Sequence, residues 1–319
     1  MPVRKATTSS APSGPGGDGM GLCYVILAHT APEQVGRLAA RLGGPGASVI
    51  VHVDRRVDEE PFRRACRTVG VDQVVFSERR SASGWGRYGL VDAAVNAVEF
   101  ALDNLAFSHV LLLSGQDYPI TTPEARDAFF AAAGDRSYLS WSAGDSGPPP
   151  DRSRNERWYW NGDLHRLRTR YYWIGELSVP VPSRWLPFFP PARVPRGLRP
   201  YQGSQWWNLH HDAAAYCIEH LRRNPRLVRY FRRTLIPDEF VFPMILLNSP
   251  LADRVVNEDL RFMTWEVDHP KLLGPSDLDR VLAPSVKLFA RKFDESRTPG
   301  VLDLIDDHLA GRPNHASRG

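Results

Sequence analysis

The chain has 319 residues and a mass of 35.9 kDa, room for one large domain or two modest ones. With 42% hydrophobic and 24% charged residues it has ordinary globular composition, which excludes a disordered or fibrous chain. Its 40 Lys and Arg against 36 Asp and Glu leave a net charge of +4 and a pI of about 9.0, too small a surplus for a dedicated nucleic-acid binder but suited to an anionic small ligand. Three cysteines, Cys23, Cys66 and Cys217, are an odd count at irregular spacing. They exclude a disulfide scaffold and a four-thiolate zinc site, and point to a reducing compartment.

Residues 1–20 hold Arg4 and Lys5, then Thr, Ser, Pro and Gly, without the apolar centre of a signal peptide, and read as a disordered leader. CYVILA (23–28) is an apolar run without helical period, a buried strand. Apolar residues at 35, 38, 39 and 42 predict a helix, and SVIVHVD (48–54) a second strand that ends in a charge. Residues 59–69 read as helix and 73–76 as a short strand. Val91, Ala94, Val95, Val98, Ala101, Leu102 and Leu105 recur every three to four positions, the clearest helix in the chain. SHVLLLS (108–114) is a fourth strand. Strands alternating with helices predict βαβ units and a mainly parallel sheet, whose ligands sit beyond the carboxyl ends of the strands. That rule points at His29, Asp54 and the turn 114–117.

The middle differs. Residues 152–173 set six arginines among Trp158, Tyr159, Trp160, Tyr171, Tyr172 and Trp173, and residues 180–200 contain seven prolines. Proline at that density forbids helix and central strand, so a long ordered loop is expected. Regular structure resumes with GSQWWNL as a strand, helices over 212–223 and 226–234, and a helix after Pro237. The end, 311–319, looks frayed. No apolar run reaches the ~18 residues of a membrane helix. The expectation is a cytoplasmic protein without signal peptide or transmembrane helix, with attachment to a membrane surface left open.

Several constellations could carry chemistry. Asp54 can accept hydrogen bonds from a ribose or base, or act as a helix cap or salt-bridge partner of Arg55 or Arg56. SGWGRYG (83–89) lets backbone approach an anion at a helix start, or is a tight turn. It has neither the Walker lysine nor the dinucleotide GxGxxG spacing. Asp117 follows the most apolar strand. The single Asp-X-Asp of the chain, 277–279, sits at a helix start, where acidic residues suit the dipole, and the histidines lack zincin spacing, so no metal is expected. In IPDEFVFP (236–243), Asp238 reads as the helix cap, and Glu239, flanked by Phe240, Val241 and Phe242, as a partly desolvated base. Lys287, Arg291 and Lys292 lie inside the apolar run KLFARKFD, with His269 and Lys271 upstream in DHPK; such cations could neutralise a diphosphate without a metal.

Taken together and in this order, YVILAH, VIVHVD, SGWGRYGLVDAAV, LLLSGQDYPI, GSQWW, PDEFVFP and HPK…KLFARKFD resemble the core-2/I-branching β-1,6-N-acetylglucosaminyltransferase and peptide O-xylosyltransferase family, over residues 22–295. GSQWW and PDEFVFP lean to its bacterial and xylosyltransferase-like side. The resemblance implies an α/β fold, a single Rossmann-like type A glycosyltransferase domain over 21–310. Its donor half would span about 21–145, a Pro/aromatic loop 146–201, and the acceptor and catalytic half 202–310. It implies an inverting, metal-independent transfer of N-acetylglucosamine or xylose from UDP-GlcNAc or UDP-xylose to a carbohydrate, glycoconjugate or peptide hydroxyl, with no cofactor beyond the donor. By motif position, Glu239 would be the general base and Lys292 would hold the diphosphate, with Lys271 favoured over His269 as second cation. His29 and Asp54 would meet uridine, and Asp117 with the Gly203, Ser204 and Gln205 backbone would lie beside the sugar. Animal relatives are membrane-anchored and disulfide-rich; this chain shows neither feature.

Three rivals stand beside this reading: a hydrolase using Asp238 and Glu239, a non-catalytic carbohydrate- or nucleotide-binding module, and a single-stranded nucleic-acid binder through 152–173. The adjacency of the two carboxylates, the retention of both Glu239 and Lys292, and the small surplus charge count against them in turn.

Overall fold

A computed structural model describes residues 21–70, 74–84, 86–143, 195–232, 234, 236–266 and 269–312, and the backbone of 169–174 and 177–182. The expected leader, almost all of the frayed tail, and the greater part of the segment 144–194 lie outside the described residues.

The first half follows the alternation read from the sequence: β1 (Leu22–Ala28), α1 (Pro32–Leu42), β2 (Ser48–Val53), α2 (Glu60–Thr68), β3 (Val74–Phe76), α3 (Gly89–Asn104), β4 (His109–Ser114), β5 (Asp117–Pro119), α4 (Pro123–Ala133) and β6 (Ser137–Ala143). A two-stranded ribbon follows, β7 (Thr169–Ile174) and β8 (Leu177–Pro182), antiparallel to one another. Part of the expected loop is therefore strand. Pro180 and Pro182 are tolerated because, among the described residues, the pair has no further strand on either side, so a missing N–H need not break a ladder. Then come β9 (Tyr201–His210), α5 (His211–Arg223), α6 (Pro225–Phe231), α7 (Val241–Leu247), β10 (Val255–Asn257), β11 (Arg261–Phe262), β12 (Trp265–Glu266), β13 (His269–Pro270), α8 (Leu278–Val281), β14 (Phe289–Arg291) and α9 (Val301–Leu309). Where a helix was expected directly after Pro237, a 3-10 turn, Pro237–Glu239, precedes α7.

Seven strands form the central sheet in the order β10-β6-β9-β4-β1-β2-β3. β1 runs parallel to β2 and β4, with Cys23 opposite Ser48 and Val110. β9 alone is reversed, antiparallel to both β4 and β6. Both faces are covered, and β1 displays why: Tyr24, Ile26 and Ala28 enter one core with α1, α2, α4 and α9, while Cys23, Val25 and Leu27 enter the other with α3, α5, α6 and α7. A strand with period-two side chains and two dry faces must be apolar throughout, as CYVILA is. The three cysteines are buried and unpaired.

A second, three-stranded sheet, β11-β14-β5, crosses the end of β4. Its register sets Arg291 opposite Asp117, residues far apart in sequence.

Candidate active site

The carboxyl ends of β1, β2 and β4 form one rim. His29 follows β1 and is exposed. Asp54 follows β2 and is 1% exposed. Its carboxylate accepts from the Arg56 backbone N–H (2.9 Å) and guanidinium (3.0 and 2.9 Å), and from the Ser83 N–H and hydroxyl (2.7 and 2.9 Å). Burial alone would raise its pKa; the Arg56 and Ser83 bonds outweigh burial and hold it well below the usual carboxylate range. The salt-bridge reading of Asp54 is therefore the one this conformation displays, and the carboxylate fastens the 81–83 loop to the sheet. Arg80 strengthens the same corner by donating to the carbonyls of Val53, Asp54 and Val57. Inside the following glycine loop, Gly86 has φ +71°, and a Cβ on Gly89 would lie 1.9 Å from the Ala82 carbonyl oxygen, so the motif serves a turn and a close crossing.

Asp117 lies below this rim, fully buried. One carboxylate oxygen accepts from the Ser114 N–H (2.7 Å) and hydroxyl (2.5 Å). Arg291 Nη1 stands 4.0 Å from that same oxygen, and the other is 2.6 Å from Arg261 Nε, a charge contact without an aligned hydrogen bond. Both guanidinium groups lie over the Trp206 ring, at 4.2 Å for Arg291 and 5.1 Å for Arg261. Burial draws the Arg291 pKa down, against the pull of Asp117. Asp117 is thus the counter-charge for two buried arginines, a support beneath the rim and closed to solvent.

Glu239 closes the 3-10 turn after β9 and its helices. The turn begins at Ile236, whose φ of +53° is costly for a β-branched residue, and whose N–H donates to the Gly86 carbonyl at 3.0 Å. Gln202 Nε2 donates to Glu239 Oε2 at 2.8 Å. Gln202 stands at the start of β9, which, being antiparallel to β4, begins beside the carboxyl rim. Its neighbour Gly203 faces Trp141 of β6; a Cβ there would meet the Ser140 carbonyl oxygen at 2.3 Å and Pro243 Cγ at 2.8 Å. Ser204 Oγ accepts from the Trp206 N–H at 3.1 Å. Asp238, expected as a cap, makes no capping bond: it is 7% exposed and its Oδ1 has no hydrogen-bond partner among the described residues. Burial first, and the charge of Glu239 second, push its pKa up to about 7. A 3-10 turn of three residues directs the side chain inward, away from the amide groups a cap would serve.

Lys292 follows β14. The next residue, Phe293, donates its N–H to the Gln116 carbonyl at 2.9 Å, which fixes this strand end to the β4 rim. Lys292 is half-buried, and burial first, then Arg291, draws its pKa down; Asp294 and exposed Arg297 are its other charged neighbours. Asp294 is held by Ser296, whose hydroxyl donates to it at 2.6 Å. Lys271, by contrast, is bonded at 2.6 Å to Asp277, which also accepts from the Gly274 N–H. Burial opposes that ionisation, and the Lys271 and Gly274 bonds still hold Asp277 low. The Asp-X-Asp is therefore partly engaged by a lysine. His269 is exposed on β13. Among the described residues, no group of three His, Cys, Asp or Glu side chains is placed to hold a metal ion, and no helix is long and apolar enough to cross a membrane.

Glu239, Gln202 and Gly203 therefore meet at the start of β9, and Lys292 stands at the end of β14, one residue beyond the Arg291 that lies over Trp206 of β9. His29 and Asp54 stand across the rim on β1 and β2. Sequence reading missed Arg261, Arg291 as partner of Asp117, Gln202 and Arg297. The one local hint was a cation every few residues in an otherwise apolar tail.

A mostly parallel, doubly covered sheet with the oriented carboxylates of Asp54 and Glu239 and a half-buried lysine at its carboxyl rim defines the class: an α/β protein whose site lies at the strand ends. The chain belongs to the core-2/I-branching enzyme family, whose family model, Core-2/I-Branching enzyme, matches residues 22–285. It is similar to xylosyltransferase 2 of Homo sapiens (25% identity over 91% of this chain) and xylosyltransferase 1 of Rattus norvegicus (23% over 91%). Xylosyltransferase oxt of Drosophila pseudoobscura pseudoobscura matches at 24% over 88% of the chain. The chain spans about a third of the length of these relatives, 34%, 35% and 32% in turn.

Proposed function

We propose that the chain is an inverting glycosyltransferase that moves xylose or N-acetylglucosamine from a UDP-sugar to an acceptor hydroxyl without a divalent metal. The observation that carries this reading is the Glu239 carboxylate, oriented by Gln202 on the rim that Lys292 also reaches. Glu239 takes the proton of the acceptor hydroxyl as that oxygen bonds to the anomeric carbon, and the bond from that carbon to the UDP oxygen breaks in line. Negative charge then builds on the diphosphate. Lys292, with Arg297 in the same field, is the cation suited to stabilise it. Lys271 can join them only by giving up Asp277.

The names of the relatives favour xylose as the donated sugar. One accessible carboxylate suits inversion; a hydrolase with two flanking carboxylates is disfavoured because Asp238 is buried beside Glu239. The test is UDP release from a panel of UDP-sugars and acceptors, with Glu239→Gln alongside and with EDTA present. Loss of turnover by about 100-fold in the variant, unchanged UDP binding, and full wild-type activity in chelator are expected. A fully active variant, or strict dependence on a metal, overturns the mechanism.

A further inference from the structure

The outer face of α5 and α6 carries a row of arginines that the rim chemistry does not use. Between 220 and 233 the chain has Arg222, Arg223, Arg226, Arg229, Arg232 and Arg233 and no acidic residue. The helices sort this segment cleanly: Leu221, Leu227 and Phe231 are buried in the core beneath, while Arg222, Arg223, Arg226, Arg229 and Arg232 are exposed. Arg233 lies outside the described residues. Three carboxylates meet the row. Glu99 accepts from Arg222 at 3.1 Å but also from Arg79 at 2.9 Å; Glu219 meets Arg223; Asp92 stands 3.8 Å from Arg232. Arg226 and Arg229 have no carboxylate within ion-pair reach among the described residues.

The row also has a direction. α5 starts at the amino edge of the sheet, where the His211 N–H donates to the Ser108 carbonyl. It rises along α3, past Glu99, and Arg232 ends over the Tyr88 ring, 5.3 Å from its centroid. Four residues later Ile236 joins Gly86 and the Glu239 turn begins. Net positive charge, left without a carboxylate partner among the described residues at Arg226 and Arg229, therefore lies along the outside of the helix layer that leads to the rim that holds Glu239.

We propose that this face docks on an anionic bilayer, with lipid phosphates against Arg226 and Arg229, so that the rim opens beside the membrane surface. A cluster of this density on the outer side of short helices is the pattern that acidic headgroups attract. A single-stranded nucleic acid is disfavoured: it needs exposed rings for stacking, and along the row Phe231 is buried and Tyr230 half-buried. The row also lies on an outer helix face, which a plane of headgroups can meet without a groove.

The test is co-sedimentation of the full chain with phosphatidylcholine vesicles containing about 30% phosphatidylglycerol, a fraction chosen to give a strongly anionic surface. Binding at about 50 mM salt, its loss at about 500 mM, and none to pure phosphatidylcholine are expected. Arg226→Gln/Arg229→Gln lowers partitioning about 30-fold, with the thermal midpoint and UDP binding unchanged. Failure of the wild type to bind acidic vesicles, equal binding by the double variant, or tighter binding of a soluble RNA or acidic polysaccharide through the same arginines overturns the proposal. UDP binding is read separately, so the result does not depend on the transfer reaction.

Discussion

Asp238 offers a sharp perturbation because burial and the Glu239 charge outweigh the one backbone hydrogen bond that favours its ionised form. It is buried at 7% exposure, its Oδ1 has no hydrogen-bond partner among the described residues, and its chain neighbour is a carboxylate. Burial and then Glu239 raise its pKa from 3.8 to about 7. In the unfolded chain the group loses its proton near pH 4, whereas in the folded chain it keeps it to about pH 7. Over that window the native state holds a proton the unfolded state has lost, so stability is complete below about pH 4 and falls as pH rises to about 7. About three pH units at ~1.4 kcal/mol each set an upper bound near 4 kcal/mol. Asp238→Asn cannot ionise and escapes the loss. Urea unfolding from about pH 4.5 to pH 8.5, a range set by that window, reads the difference. The variant gains on the wild type through the window, by as much as ~4 kcal/mol, then runs parallel to it. A difference that does not change with pH would mean that Asp238 ionises in the folded chain as it does in the unfolded one, held by a partner that stabilises its charge.

Gly203→Ala forces a Cβ to within 2.3 Å of the Ser140 carbonyl and 2.8 Å of Pro243, neither of which can swing away. A loss of about 1–3 kcal/mol in urea unfolding is expected, together with reduced transfer because Gln202 and Glu239 shift with the strand; an unchanged midpoint contradicts this. Asp117→Asn leaves Arg261 and Arg291 buried without their counter-charge. It is expected to cost about 3–5 kcal/mol by denaturant titration, and a cost under about 1 kcal/mol means the arginines find another anion.

The layered α/β plan was legible in the sequence because local pattern determines it. A strand buried on both faces has to read like CYVILA, and α3 has to repeat its apolar residues every three to four positions to cover the sheet. Much of the site was not legible, because it depends on register. Nothing near Asp117 announces Arg261 or Arg291; the pairing of β5 with β14, and of β14 with β11, brings them together. Asp54 carried two readings of equal standing until the path of the 81–83 loop set Ser83 on it. The engagement of Lys271 by Asp277 depends on where β13 ends, and the inward turn of Asp238 on a 3-10 geometry that its proline-led sequence shares with an ordinary helix start. The ribbon of β7 and β8 was hidden by its prolines, which argue against strand everywhere except in such an isolated pair.

The proposed transfer requires cationic side chains beside β14 to serve as the counter-charge for a nucleoside diphosphate. Isothermal titration of the full chain with UDP in EDTA, wild type against Lys292→Met, tests it most directly. Binding by the wild type and a loss of tenfold or more in the variant, about 1.4 kcal/mol or more, is the predicted result. Equal affinity for the two proteins, or no UDP binding without added metal, would contradict it.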